Sequence, residues 1–275
     1  RDGSRLYVLD SARPQAALDL RPSFSRLPEL LPPGALLVAN NSRVIPARLH
    51  GQRAGGGRLE FLLLTPLPLI LEAAVTEAAG WSVGRTQALL RPAKKLRSGE
   101  PYELTPNLRF RILEKQEFGQ CEAELAWRGD LLQEIEAAGS LPLPPYIRRP
   151  AEELDTERYQ TSYNNPGKPG SVAAPTAGLH FTPALREELR QKGHYWAELT
   201  LFVGYGTFSP VRVRDIREHS LHPEYVEISA ACVDKILQAK RQGRPVIAVG
   251  TTSTRVLEGL SANLAAAGKT SLPAP

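Results

Sequence analysis

The chain has 275 residues, 42% of them hydrophobic and 23% charged, with a net charge of +5 and a pI near 9.3. This is the composition of a folded chain with enough core for one large or two modest domains, and the positive balance favours a polyanionic partner. No apolar run approaches the roughly 20 residues of a membrane span and no signal peptide is visible, so the membrane classes are set aside. The two cysteines, Cys121 and Cys232, lie far apart and read as reduced core thiols of a cytoplasmic protein.

In chain order, Ser4–Leu9 predicts a short strand, and the proline-rich Arg21–Pro33 predicts irregular chain. Ala35–Ala39 is a continuous apolar run after a Pro-Pro-Gly turn, the pattern of a buried strand. It ends on Asn40, Asn41, Ser42 and Arg43. Ligands collect at the carboxyl ends of strands in open sheets, so these polar residues are either a site or ordinary turn formers. From Ala47 to Gly129 short β-type pieces alternate with Gly and Pro turns, which predicts a small barrel or sandwich inserted into an α/β chain. Glu72–Ala79 within it has a helical pattern with no role assigned. Lys94, Lys95 and Arg97 form a basic cluster, either a solvated face or a contact for phosphates.

Asp130 caps a predicted helix that runs to Ala138 and stops at Gly139. Leu141–Pro145 is held extended by its prolines. Tyr159 and Tyr163 either pack or stack on an unpaired base. Thr182 and Pro183 open a helix to Lys192 with Leu185 and Leu189 inward. Ala197, Leu199, Leu201 and Val203 alternate with Glu198, Thr200 and Phe202, which predicts a half-buried strand with the second set on its more polar face. Ser229 caps a helix to about Gln242 with Val233, Ile236 and Leu237 inward. Pro245–Val249 then reads as a parallel strand covered on both faces. Gly250, Thr251, Thr252 and Ser253 follow, then a helix through Arg255 and Leu260. A strand, a hydroxyl turn and a helix start make an anion site from backbone N–H groups; the plainer reading is a helix capped by Ser253.

The stretch Pro169–Glu224 concentrates the chemistry. It holds His180, His219 and His222, and small-residue turns at Gly170-Ser171, Thr176-Ala177-Gly178 and Gly204-Tyr205-Gly206. Small residues let backbone approach a ligand, and histidine titrates near neutrality. His219-x-x-His222-x-Glu224 has spacing a metal accepts, but no third ligand is obvious, so a hydrogen-bonded pair and no metal is expected. No G-x-G-x-x-G opens a strand–helix unit, and Asn263 stands where a phosphate loop would need its earlier Gly.

The runs PGSVAAPTAGLHFT, LTLFVGYGTFSPV, HSLHPEY and VGTTSTRVLE, with NNSRVIPARLHG, LRPAKKLRSGE and LPLPPYI upstream, resemble the S-adenosylmethionine:tRNA ribosyltransferase-isomerase family. The resemblance covers nearly the whole chain, in order. It implies a mixed-sheet α/β main domain over residues 1–46 and 130–275, with an inserted all-β barrel over 47–129. It implies transfer and isomerisation of the ribosyl part of S-adenosylmethionine onto the 7-aminomethyl-7-deazaguanine (preQ1) wobble base of tRNA, releasing adenine and methionine. The partners implied are that tRNA and S-adenosylmethionine as co-substrate, with no further cofactor, and a monomer. His180, His219 and His222 become candidates for proton transfer, with Glu224 orienting one of them or binding the substrate amine. Asn40, Ser42, Arg43, Ser171, Thr176, Gly178, Gly204, Gly206, Thr207, Thr251, Thr252, Ser253 and Arg255 become candidates for substrate binding, Arg255 through a carboxylate or phosphate.

Members of the family usually carry His where this chain has Phe202, so this protein does without that group. They also have an N-terminal lead and a C-terminal section with an Asn-Phe-His-Leu-Pro run, so a fragment or a gapped sequence is expected here. Two other readings remain open: a non-catalytic tRNA-binding relative, and an S-adenosylmethionine enzyme acting on a free small molecule. The ribosyltransferase reading requires the turns around Thr176–His180 and Gly250–Arg255 to line a single cleft.

Overall fold

The computed structural model describes residues 1–9, 19–53, 56–144, 146–204, 215, 217 and 223–266. Strands β1 (Leu6–Val8) and β2 (Asp19–Arg21) form an antiparallel ribbon. The stretch expected to be irregular holds a 3-10 segment, Phe24–Glu29, because Ser23 caps it by accepting from the Ser25 N–H at 3.2 Å. Strand β3 (Leu36–Asn40) is buried along its whole length, as its unbroken apolar run requires. The two-residue β4 (Arg43–Val44) follows.

Next comes a nearly closed antiparallel sheet: β5 (Arg48–Gln52), β6 (Arg58–Leu63), β7 (Val75–Thr76), β8 (Trp81–Arg91), β9 (Pro101–Thr105), β10 (Leu108–Lys115) and β11 (Gln120–Arg128). Its order is β5-β6-β8-β11-β10-β9, and β5 returns beside β9, where Gly51 lies against the Glu103 carbonyl. Alternate residues of β8, β10 and β11 point inward and fill it with Leu90, Phe110, Ala123 and Leu125. The helical expectation for Glu72–Ala79 is wrong. Helix α1 is Leu67–Glu72, held by burial of Leu67 and Ile70. The chain after it pairs with β8 through Val75 and Thr76, and cross-strand pairing overrides helical propensity there.

The remaining chain builds helices α2 (Leu131–Ala138) and α3 (Glu153–Arg158), strand β12 (Pro169–Ser171), helix α4 (Pro183–Gln191), strands β13 (Tyr195–Leu201) and β14 (Val226–Glu227), helix α5 (Ala230–Arg241), strand β15 (Val246–Val249) and helix α6 (Gly250–Ala266). Three predicted caps are in place: Asp130 accepts from Gln133 N–H at 2.9 Å, Thr182 from Leu185 N–H at 3.2 Å, and Ser229 from Cys232 N–H at 3.2 Å. A four-stranded mixed sheet has the order β14-β13-β3-β15, with β13, β3 and β15 parallel. One of its faces packs Val38, Leu199 and Leu201 against Ile236 and Val256 of α5 and α6. The other packs Leu37 and Ala39 against Leu185 and Leu189 of α4. Among the described residues, no helix is long and apolar enough to cross a membrane.

Two further expectations are corrected. Strand β13 is half-buried only over its first part, where Glu198 is partly exposed between buried Ala197 and Leu199; Thr200 and, just beyond the strand, Phe202 are as buried as Leu199 and Leu201, because elements distant in sequence cover the second face there. The buried stripe of α5 is Cys232, Ile236 and Ala239, with Val233 and Leu237 half-buried. Cys121 and Cys232 are both free and buried, and burial pushes the Cys121 thiol up to about 11.

Helix α3 begins with a reciprocal cap. Asp155, whose side chain is 10% exposed, accepts from the Glu152 N–H at 2.9 Å and takes Arg149 in a two-pronged pair at 2.6 and 2.8 Å. The Arg149 hydrogen bonds, and then the backbone one, hold its carboxyl at about 2. A carboxyl depressed in the folded state stabilises the fold above its unfolded value, near 3.9, and ceases to as pH falls through the folded one. Asp155→Asn should therefore be less stable than the parent at pH 5–7. The gap should narrow between about pH 4 and pH 2, as chemical denaturation at stepped pH would reveal.

Candidate active site

Three parallel strands bring their carboxyl ends to one edge. Leu199 of β13 lies opposite Asn40 of β3, and Val249 of β15 lies opposite Ala39. The chain leaving each strand gathers there, the position at which open α/β sheets bind ligands.

The first group of predicted residues braces this edge. Asn40 donates from Nδ2 to the Leu201 carbonyl at 2.8 Å, and its Oδ1 accepts from Leu201 N–H at 3.0 Å and Ser42 N–H at 3.1 Å. Ser171 donates to Ser42 Oγ at 2.7 Å and accepts from Val203 N–H at 3.0 Å. All three residues are buried and their polar atoms tie β3, β12 and β13 together. Arg43 sits at the rim, where its guanidinium donates to Glu136 at 2.9 Å. Gly204 is half-buried just beyond β13.

The second group is formed by two turns in contact. Thr176–His180 makes a 3-10 turn, and Gly250 opens α6 with φ +80, a backbone that glycine adopts without strain. A Cβ on Gly250 would stand 2.9 Å from the Ala177 Cβ, so the two turns touch backbone to side chain. The small residues of both are what permit this approach. Beneath the first turn, Gly178 covers Tyr163 and Thr161; a Cβ on Gly178 would lie 2.0 Å from the Tyr163 hydroxyl.

Three buried hydroxyls in or under these turns, Tyr163 Oη, Thr161 Oγ1 and Ser253 Oγ, have no hydrogen-bond partner among the described residues. An orphaned buried hydroxyl costs about 1–3 kcal/mol, so such groups mark places where another polar partner has value. Burial, chiefly, pushes the Tyr163 phenol up, so at neutral pH it is a hydrogen-bond donor. Ser253 is not the cap the sequence suggested. The helix already runs from Gly250, and Ser253 sits fully buried in its first turn. Thr176 and Thr251 are exposed at the surface of the two turns, and Thr252 is half-buried.

Arg255 and Glu224 pair at 2.5 Å, with the Glu224 side chain only 11% exposed. His180 is half-buried. Its Nδ1 lies 3.0 Å from the Arg1 carbonyl and its ring 5.1 Å from that of Phe24. Among the described residues no hydrogen bond joins it to Glu224 or Arg255. His219, His222, Gly206 and Thr207 lie outside the described residues. Among those described, no group of three or more His, Cys, Asp or Glu could hold a metal.

Phe202 is 1% exposed, stacks on Tyr225 at 5.6 Å and packs against Gly170. The position is core in this chain. Phe202→His should lower stability by about 1–3 kcal/mol, the cost of a buried ring nitrogen without a partner, and leave turnover no faster. A melt and a rate assay on that variant check both.

The fold also brings to this edge Asn41, Thr200 and Glu198, whose bonds to one another the sequence did not show, and Thr161, which the sequence did not single out. Asn41 accepts from Thr200 Oγ1 at 2.7 Å and donates to Glu198 at 3.2 Å, and Thr161 lies under Gly178. Tyr159 and Tyr163 are both buried, so the stacking role suggested for them gives way to packing.

A family model described as queuosine biosynthesis protein matches residues 1–273. Over 263 residues the chain is 54% identical to the S-adenosylmethionine:tRNA ribosyltransferase-isomerase of Nitratidesulfovibrio vulgaris strain DP4, covering 94% of this chain and 70% of that one. Similarity to the protein of the same name from Oleidesulfovibrio alaskensis is 52% over 259 residues, covering 94% and 67%. A solved structure, the S-adenosylmethionine tRNA ribosyltransferase of Thermotoga maritima, is 28% identical with a TM-score of 0.37, covering 94% of this chain and 66% of that one. The chain thus spans about two thirds of the length of these relatives.

Proposed function

The chain belongs to the queuosine biosynthesis protein family, and on that premise we propose that it is an S-adenosylmethionine:tRNA ribosyltransferase-isomerase. It transfers the ribosyl part of S-adenosylmethionine to the aminomethyl group of a preQ1 wobble base in tRNA. The sugar is rearranged to an epoxycyclopentanediol, and adenine and methionine leave. The sheet edge belongs to an α/β body into which the barrel is inserted. The protein acts in the cytoplasm, as a monomer, with S-adenosylmethionine as its only small co-substrate.

The reading of the site rests on one contact, that between Gly250 and Ala177, which joins the two turns. The sulfonium nucleoside lies along this junction. The first-turn N–H groups of α6 face its anionic end, and the Arg255–Glu224 pair matches the carboxylate and ammonium of its methionine part. Asn40, Ser42 and Ser171 keep the strand ends level beneath it. His180, His219 and His222 are the proton-transfer candidates for removing the proton beside the sulfonium and assisting adenine's departure. The wobble base is extruded to reach them.

The test is nucleoside mass analysis of preQ1-containing tRNA after incubation with the protein and S-adenosylmethionine. The epoxycyclopentanediol adduct is the expected product. Unchanged tRNA with intact S-adenosylmethionine would overturn the reading.

A further inference from the structure

A hollow of about 480 Å³ lies between α4 and the start of β13, lined by Arg186, Leu189, Arg190, His194 and Trp196 among others. Its size is that of small-ligand sites. The hollow adjoins the support of the first turn: Arg186 reaches Tyr163, whose hydroxyl underlies Gly178.

Arg186 lines it and lies over two aromatic rings. The guanidinium carbon stands 4.6 Å from the Trp196 ring centre and 5.3 Å from that of Tyr163, and the group donates to Glu198 at 3.4 Å. Glu198 is fixed in turn by the Trp196 indole N–H at 2.9 Å. A guanidinium fixed on aromatic faces is a platform for a nucleobase. Arg190, 72% exposed at the rim and paired with Glu187, supplies positive charge where a phosphate would lie. His194 is 8% exposed, and its buried Nδ1 has no partner among the described residues.

We propose that this hollow binds one unpaired nucleotide of the tRNA, its base stacked on Arg186 and its phosphate against Arg190, while the wobble base occupies the edge. The inference rests on the tRNA-modifying reading. It adds a second anchor beside the first. A polar chain connects the two places: Arg186 to Glu198, Glu198 to Asn41 at 3.2 Å, and Asn41 to Thr200 at 2.7 Å. Asn41 is the neighbour of Asn40, which braces the strand ends.

The experiment measures binding of a fluorescently labelled anticodon stem-loop by anisotropy, alongside adenine release at saturating tRNA. Arg186→Lys keeps the charge and removes the plane; Arg190→Ala removes an exposed side chain that the fold does not need. Each should weaken RNA binding about tenfold, the loss of one stacked base or one phosphate contact. The saturating rate of Arg190→Ala and its KM for S-adenosylmethionine should stay within twofold of the parent. Affinity within twofold of the parent in both variants would overturn the proposal, as would a raised KM for S-adenosylmethionine in place of weakened RNA binding. If the parent makes no product while the variants lose RNA affinity, the reaction is wrong and the hollow stands. If the parent turns over and both variants bind as it does, the reaction stands and the hollow is wrong.

Discussion

Gly178→Ala is expected to slow adenine release by about two orders of magnitude while leaving the chain folded. The added methyl would meet the Tyr163 hydroxyl at 2.0 Å and Thr161 Cγ2 at 2.9 Å. Neither can yield easily, since both side chains are buried. The strain, about 1–3 kcal/mol for overpacking of this kind, is most cheaply relieved by lifting the Thr176–His180 turn. That turn rests on Gly250, so lifting it separates the two walls of the proposed cleft. A displacement of about 1 Å in a positioning element is enough to cost about a hundredfold in rate. Tyr163→Phe removes the atom the methyl strikes, a hydroxyl that has no partner among the described residues. The double variant Gly178→Ala/Tyr163→Phe should thus recover part of the rate. A double variant no faster than Gly178→Ala alone would mean that the turn is not where the damage acts. Circular dichroism and thermal melts on all three separate loss of rate from loss of fold.

The second large effect is expected on substrate affinity. Arg255→Gln and Glu224→Gln should each raise the KM for S-adenosylmethionine by about 10–100-fold, the loss of one charge-assisted hydrogen bond worth roughly 1.5–3 kcal/mol. The KM for tRNA should move little. The two changes should be less than additive, because the side chains touch at 2.5 Å and act as a unit. A wholly structural pair would behave differently: Tm would fall while the KM for S-adenosylmethionine stayed put.

What could be read without coordinates was what local chemistry decides. The caps at Asp130, Thr182 and Ser229 were legible because a side chain reaching its own helix needs nothing from elsewhere. The barrel strands were legible because short β-type pieces follow one another at close spacing between Gly and Pro turns. The readings that failed depended on partners far off in sequence. Glu72–Ala79 looked helical, yet β8 captured Val75 and Thr76. Thr200 looked like the polar face of a half-buried strand, yet Asn41, 159 residues away, buries and satisfies its hydroxyl. Ser253 looked like a cap because the sequence does not say that α6 begins three residues earlier, on a glycine at φ +80.

The candidate site was legible in a similar, partial way. Its small residues announced close approach, but which backbone approached which could not be read. Nothing in the spacing tells that Gly178 covers Tyr163, or that Gly250 meets Ala177. Asn40 and Ser42 could serve as turn formers or as a site, and their hydrogen bonds show them bracing the strand ends. Phe202 was legible as a departure only through the family resemblance. Its meaning came from burial, which makes the position core.

Hydrogen–deuterium exchange tests most directly whether the two turns form one cleft. The complex to use has saturating S-adenosylmethionine and a tRNA whose wobble base is guanine, which lacks the aminomethyl acceptor. Amides of Ala177–His180 and Thr251–Arg255 should slow together on adding both ligands, and Gly178→Ala should abolish the effect in both segments. Protection of one segment without the other, or of neither while the α4–β13 hollow slows, would contradict it.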